Sequence, residues 1–290
     1  MEYIPIEIWQ QILLKSTFLD QIRLRQVFSL FYHKLEIHDF YNIDNKYLSQ
    51  LSDSILSNYF FIRHLYAGYN SKITNLNHMI KLVELNACGL MCGIGDEGIS
   101  RLNITKLYVP QNPKITDLNH MNKLVELHAG GYACGINDKG IQLLNLIKLN
   151  VRGNPKITDI YHMNKLIELD VGGELCGLGN KGISRLNITK LNVSCNPKIT
   201  DLNHMNKLVE LVASGQCCGI NDKGIQGLNL IKLDVCFNQK ITDLNHMNKL
   251  VELVARCGNS DLCAKGINKL KFVQIKCPWQ SQNYRYLSYE

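Results

Sequence analysis

The sequence predicts an α/β solenoid: a stack of short coils, each with one half-buried strand and a helical or 3-10 return, preceded by a small all-helical segment. Three observations predict it. First, KITDLNHMNKLVEL occurs verbatim from Lys114, Lys198 and Lys240, with near-copies from Lys72 and Lys156, so Ile73, Ile115, Ile157, Ile199 and Ile241 recur every 42 residues without slippage. A fixed period of about 20–50 residues marks solenoids and propellers. Second, each 42 holds two apolar cores, such as Ile104-x-x-Leu107-x-Val109 and Leu124-x-x-Leu127-x-Ala129. Their second leucine steps by 20 and 22 residues alternately, through Leu65, Leu85, Leu107, Leu127, Leu149, Leu169, Leu191, Leu211, Leu233, Leu253 and Ile275. The unit is therefore one coil of 20 or 22 residues, in two alternating kinds, about eleven in all. Third, each core alternates apolar and polar positions, the pattern of a short half-buried strand. About ten looser residues follow, such as those around Ile141 and Leu144, which fits a helical or 3-10 return. A unit this short cannot bury its own apolar face, but stacked units can.

Taken in order, residues 1–42 lie outside the repeat. YIPIEIWQQILLKSTFLDQIRLRQVFSLFYHKLE has helical spacing: Pro5 suits a first turn, Ile8 and Ile12 are four apart, and Leu24, Val27, Phe28 and Phe31 form a second stripe. As bare physics this is a cap over the open end of the stack. Residues 43–60, containing DSILSNYF, are a linker or a degenerate first coil. Residues 61–276 are the repeat. Residues 277–290, CPWQSQNYRYLSYE, leave the pattern and cover the last coil.

Composition narrows the function class. The 290 residues carry a net charge of +7, but lysines and arginines are dispersed among acids, which speaks against nucleic-acid binding. No run of about 18 apolar residues is present, so no membrane span is expected. The first residues lack a basic leader and a small-residue cleavage site. With 11 cysteines and no CxxC, the expectation is free thiols in a reducing compartment, the cytoplasm.

The repeated polar residues read as scaffold. Strands in a stack sit about 4.8 Å apart, so residues 42 apart lie about 10 Å apart. Two nitrogens on one zinc ion lie within about 4 Å of each other. The column His78, His120, His162, His204 and His246 is too widely spaced for that, as is Cys92, Cys134, Cys176 and Cys218. The histidines are expected to be structural or at the surface, and the cysteines to act as small core residues. Glu84, Lys106, Glu126, Lys148, Glu168, Lys190, Glu210, Lys232 and Glu252 alternate in sign coil by coil, which predicts a charge-zipped strand face. No convergent, non-repeating set of acid, base and nucleophile stands out, so no enzyme activity, metal or cofactor is expected.

The pattern L-x-x-L-x-V-x-x-N-x-x-I-T, with asparagines at Asn70, Asn112, Asn154, Asn196 and Asn238, resembles a leucine-rich repeat. The other coil, CGINDKGIQLL from Cys134 to Leu144, resembles the cysteine-containing repeat common in F-box proteins. The resemblance implies a horseshoe whose concave strand face binds a protein target and whose asparagines bond backbone inside the bend. The N-terminal segment resembles an F-box: Ile4-Pro5, Glu7-Ile8, Ile12-Leu13, Asp20, Leu24, Arg25, Val27 and Phe31 fall at the family's motif positions, while Ser16 and Gln21 stand where it has leucine. This implies docking on a Skp-family linker of a cullin ubiquitin ligase through Ile4, Pro5, Ile8, Ile12, Leu13, Leu24, Val27 and Phe31. The wording of the repeats is similar to that of F-box and repeat proteins encoded by amoeba-infecting giant viruses, which implies a host cell's cytoplasm or nucleus. The rival reading is a stand-alone leucine-rich-repeat scaffold with capping helices. On either reading the target is unnamed, and the side chains that interrupt the sameness of the strand face are the candidates to touch it: Tyr66, Tyr108, His128, Arg152, Asp170, Asp234 and Arg256.

Overall fold

The computed structural model describes residues 5–16, 20–21, 23–24, 39–40, 45–59, 61–255, 262, 266–270, 273–276 and 285–287. Ile4, Val27, Phe31 and Arg256 therefore lie outside the described residues. The chain divides into two compact units, Met1–Leu127 with Ala133–Gly135, and His128–Tyr132 with Ile136–Glu290.

In the first unit, helix α1 spans Ile6–Lys15 with Pro5 before it and Ser16 after it. A proline here costs no hydrogen bond, because the first helical N–H groups have no acceptor within the helix. Strand β1 (Asp39–Phe40) pairs in parallel with β2 (His64–Tyr66), so two residues of the segment expected to be helical are extended. Between them, four-residue helices run over Asn45–Leu48 and Asp53–Leu56; the Ser52 hydroxyl accepts the Ile55 N–H at 3.4 Å to cap the second. Strands β3 (Glu84–Asn86) and β4 (Lys106–Tyr108) continue in parallel, with Leu65, Leu85 and Leu107 in register. Strand β5 covers Glu126–His128.

The second unit repeats the plan. Strands β6 (Lys148–Asn150), β7 (Glu168–Asp170), β8 (Lys190–Asn192), β9 (Glu210–Val212), β10 (Lys232–Asp234), β11 (Glu252–Val254) and β12 (Val273–Lys276) pair in parallel, each with the next. Strand β13 (Arg285–Leu287) closes the series antiparallel to β12. The returns contain one turn of α-helix at Asp96–Ile99, Asn180–Ile183 and Asp222–Ile225, and of 3-10 helix at Lys139–Ile141. Glycine is needed in these turns because a Cβ at Gly98, Gly182 or Gly224 would collide with the carbonyl of Thr74, Thr158 or Thr200.

Each strand from β2 to β11 buries its central leucine to 2% exposure or less and turns its flanking side chains outward. Burying one leucine contributes about 1.5–3 kcal/mol. The bend after the strand is held by asparagine. Asn112 donates its amide to the carbonyls of Ala87 (2.8 Å) and Ile94 (3.1 Å), and its Oδ1 accepts the Lys114 N–H (2.9 Å). Asn154 repeats this on Ala129 and Ile136, Asn196 on Val171 and Leu178, and Asn238 on Ala213 and Ile220. Asn70 does the same for Leu48 and Leu51, which precede the first full repeat. These amides satisfy backbone groups that the tight turn leaves without partners and water cannot reach.

Replacing Asn154 by alanine leaves the Ala129 and Ile136 carbonyls buried and unpaired. Chemical denaturation is expected to show a loss on the order of 3 kcal/mol, whereas alanine at the exposed Lys156 side chain changes stability by less than about 0.5 kcal/mol.

Candidate functional site

The outward side of each strand carries two side chains, and the structure gives them different duties. The first positions form the expected ion pairs: Lys106–Glu126 at 3.5 Å in the first unit, and Lys148–Glu168 at 3.1 Å, Lys190–Glu210 at 3.2 Å and Lys232–Glu210 at 3.7 Å in the second. They lie at the surface, where such pairs contribute about 0.2–1 kcal/mol each.

The third positions, expected to be free for a partner, are in part occupied. Where the residue is Asn or Asp, its Oδ1 turns back to accept the N–H two residues on: Cys88 at Asn86, Arg152 at Asn150, Gly172 at Asp170, Ser194 at Asn192 and Cys236 at Asp234. These side chains end the strand, so Asp234 serves the turn as well as the surface. Tyr66, Tyr108, His128, Val212 and Val254 are the departures at this position. Tyr66 places its hydroxyl 3.8 Å from the Cys88 Sγ, and Tyr108 donates to Glu126 Oε1 at 3.2 Å, beside Lys106.

The structure brings three of the sequence candidates together around Asp170. Asn192 donates to Asp170 Oδ2 at 3.2 Å and Asn150 at 3.5 Å, the Gly172 N–H donates to Oδ1 at 2.9 Å, and Arg152 Nη1 stands 3.9 Å from Oδ1. His128 lies close enough in the same unit to act on the Asp170 carboxyl. The Arg152 guanidinium lies against Gly172, where a Cβ would strike it. Burial pushes the Asp170 carboxyl above its usual range; the Gly172 amide, Arg152, His128 and Asn192 offset only part of that. Beside the cluster, Ser214 donates to Ser194 (2.9 Å), and Ser194 to Asn192 Oδ1 (2.6 Å). Asn150 and Asn192 were legible only as positions of the Asp170 column, and the serines as positions of the Arg152 column; their bonds depend on rotamer and register.

The polar columns serve the scaffold. His78, His120, His162, His204 and His246 each place Nε2 3.0–3.3 Å from a carbonyl of the preceding coil, at Leu56, Ile99, Ile141, Ile183 and Ile225. They seal the ends of the return turns, a structural role of the kind expected of them. Cys92, Cys134, Cys176 and Cys218 are buried and donate to the carbonyls of Ala67, Val109, Val151 and Val193 at 3.6–3.7 Å. A further column went unread in the sequence. Asp53, Asp96, Asp138 and Asp222 each clasp the threonine amide and hydroxyl of the next KIT, at Thr74, Thr116, Thr158 and Thr242. Asn180 does so for Thr200. The signal was an Asp or Asn 20 or 21 residues before each KIT threonine.

In α1, Leu13 faces inward with no exposed surface, while Ile8 and Ile12 are 50% and 43% exposed. Pro5 is exposed and Leu24 half-buried. Gln21, buried, donates to the Ser16 carbonyl at 3.0 Å and leaves its Oε1 without a partner among the described residues. Among the described residues, no group of three or more His, Cys, Asp or Glu side chains could hold a metal ion, and no helix is long and apolar enough to cross a membrane.

Parallel coils with in-register leucines, an asparagine-held bend and a short helical return make this fold a leucine-rich-repeat solenoid. No family model and no curated protein matches the sequence. Solved structures do resemble it. Internalin C2 of Listeria monocytogenes is 24% identical, over 55% of this chain and 74% of that one, with a TM-score of 0.44. An internalin, inlF, from the same organism is 16% identical over 86% and 73%, with a TM-score of 0.41. A leucine-rich-repeat protein of Leptospira interrogans is 15% identical over 83% and 66%, with a TM-score of 0.39.

Two pH dependences follow. At Asp53 burial raises the carboxyl, but the Thr74 hydroxyl and amide, the Asn75 amide and His78 outweigh it and hold it below its usual value. Its stabilising contribution is present above the unfolded value, about 3.9, and is lost as pH falls through the lowered folded value. The stability gap between the protein and Asp53→Asn should therefore close only in acid. Asp170 has the opposite sign: its folded value is raised, so its charge destabilises the fold at neutral pH and stops doing so below the unfolded value. Asp170→Asn should match or exceed the native chain in denaturation at pH 7 and lose that advantage below about pH 4.

Proposed function

We propose that this chain is a protein-binding scaffold that holds its partner against the outward side chains of its strands. The observation that carries the reading is the contrast between the two sides of the strands. Inward, the leucines, cysteines and turn asparagines repeat with little change. Outward, the third strand position runs Tyr66, Asn86, Tyr108 in one unit and His128, Asn150, Asp170, Asn192, Val212, Asp234, Val254 in the other. Chemically different groups on a fixed spacing suit an extended surface read at several points, and Tyr and Arg are the usual anchors of such interfaces. The acids, bases and thiols stand mostly in columns with structural partners, so any chemistry on the bound protein is assigned to other molecules. Crosslinking the full chain in its native host cell tests this. Tyr108→Ala and Arg152→Glu should each reduce capture of the same partner at least about tenfold, while Lys207→Glu on the return side leaves it unchanged. Capture indifferent to both strand-face changes would sink the reading.

A finer reading makes the chain a substrate adaptor of a Skp-cullin-F-box ubiquitin ligase in a host cell's cytoplasm. Its support is α1, where Ile8 and Ile12 stand exposed one turn apart while Leu13 anchors the helix inward. A pair of exposed isoleucines on one helical face fits a helix that docks by apolar contact. Binding of a purified Skp-family protein should be lost in Ile8→Asp and Ile12→Asp with partner capture by the strand face retained. Absence of binding by the native chain refutes the adaptor role and leaves the scaffold reading standing.

A further inference from the structure

The edge that follows the strands carries one cluster that neither the scaffold nor the strand-face reading uses. Of the described cysteines, Cys195 and Cys217 are the two that are not buried. Both interrupt their columns: Cys195 stands where other coils have Tyr69, Gln111, Gly153 and Phe237, and Cys217 where they have Met91, Ala133 and Leu175. They lie on neighbouring coils, with the Cys195 N–H bonded to the Ser214 carbonyl at 2.8 Å and the Cys217 thiol 3.7 Å from the Cys195 carbonyl. Cys195 has a left-handed backbone, φ 55°, and its Sγ lies across Gly215, where a Cβ would displace it. Two successive coils thus each contribute a thiol that departs from the repeat.

We propose that Cys195 and Cys217 form a thiol modification site, at which an oxidised low-molecular-weight disulfide converts the two thiols to a Cys195–Cys217 disulfide. Cys195, after losing its proton to solvent, attacks one sulfur of the small disulfide; its S–S bond breaks, one small thiolate leaves, and a mixed disulfide forms on Cys195. Cys217 then gives its proton to solvent and attacks the Cys195 sulfur. The mixed disulfide breaks, the second small thiolate leaves, and the protein S–S bond forms. The two cysteine thiols are oxidised by two electrons in total and the small disulfide is reduced to two thiols. The contact that argues for closure is the Cys217 thiol, 3.7 Å from the main chain of Cys195; a disulfide holds its two Cα atoms roughly 4.4–6.8 Å apart. Partial burial, Glu174 and Cys195 push the Cys217 thiol up to about 12, which keeps it protonated and assigns the first attack to Cys195. Burial also raises the Cys176 and Cys218 thiols, and their hydrogen bonds to core carbonyls keep them out of the exchange. The product would staple the coil edge beside Ser194 and Ser214, independently of the protein-binding reading.

The test is peptide mapping of the full chain under non-reducing conditions after treatment with oxidised glutathione. The expected product is a linkage between the peptides holding Cys195 and Cys217, reversed by dithiothreitol and absent from Cys195→Ser and Cys217→Ser. Mixed disulfides on both cysteines without closure, or closure onto another cysteine, would overturn the proposal. Should the serine variants fail to fold, the map of the native chain decides alone.

Discussion

Everything in this molecule depends on one side-chain amide. A coil of 20 or 22 residues must turn sharply after its strand, and a sharp turn strips backbone carbonyls of their partners inside a region closed to water. Asn112, Asn154, Asn196 and Asn238 each supply two donors and one acceptor at that spot. An aspartate would offer only acceptors, and a leucine neither. With the amide in place, the central leucines fall into register and the strands pair without slippage.

Register then converts columns of sequence into ladders in space. The Asp–Thr clasps, histidine seals and thiol–carbonyl contacts recur because the same neighbours recur at the same distance. This explains how a stretch as rich in polar groups as KITDLNHMNKLVEL can be scaffold. Many of its polar groups have partners in their own coil or the neighbouring one, and partners in a ladder repeat the same bond instead of converging on one point. Groups able to do something other than hold the fold are found where the repeat is interrupted.

The interruptions fall in distinct places. Tyr66 and Tyr108 alter the strand face of the first unit. Asp170, with Asn150, Asn192, Arg152 and His128, gathers an incompletely compensated charge on that of the second. Cys195 and Cys217 sit on the edge beyond. Such a distribution fits a surface read by another protein better than a pocket around a small substrate. Exposed Ile8 and Ile12 add an apolar face on α1, built from residues outside the repeat.

The sequence by itself determined the period, the two kinds of coil, the strand positions, the buried leucine and cysteine columns and the alternating Glu/Lys ladder. These follow from spacing, and spacing is a one-dimensional property. Only the tertiary structure decided what each polar side chain does. Asp170 and Asp234 read identically in the column, both folding back on the strand end, yet Asp170 alone of the two is shown held by flanking asparagines and an arginine. The histidines were expected only to be structural or at the surface; which carbonyls they meet, 21 or 22 residues earlier on the preceding coil, came from the stacking. Likewise Cys195 and Cys217 are only two more cysteines until the stack sets their coils side by side. Hydrogen bonds are directional and short, so which of several possible partners a group takes is settled by rotamer and by the stacking of coils, and neither is written in the period.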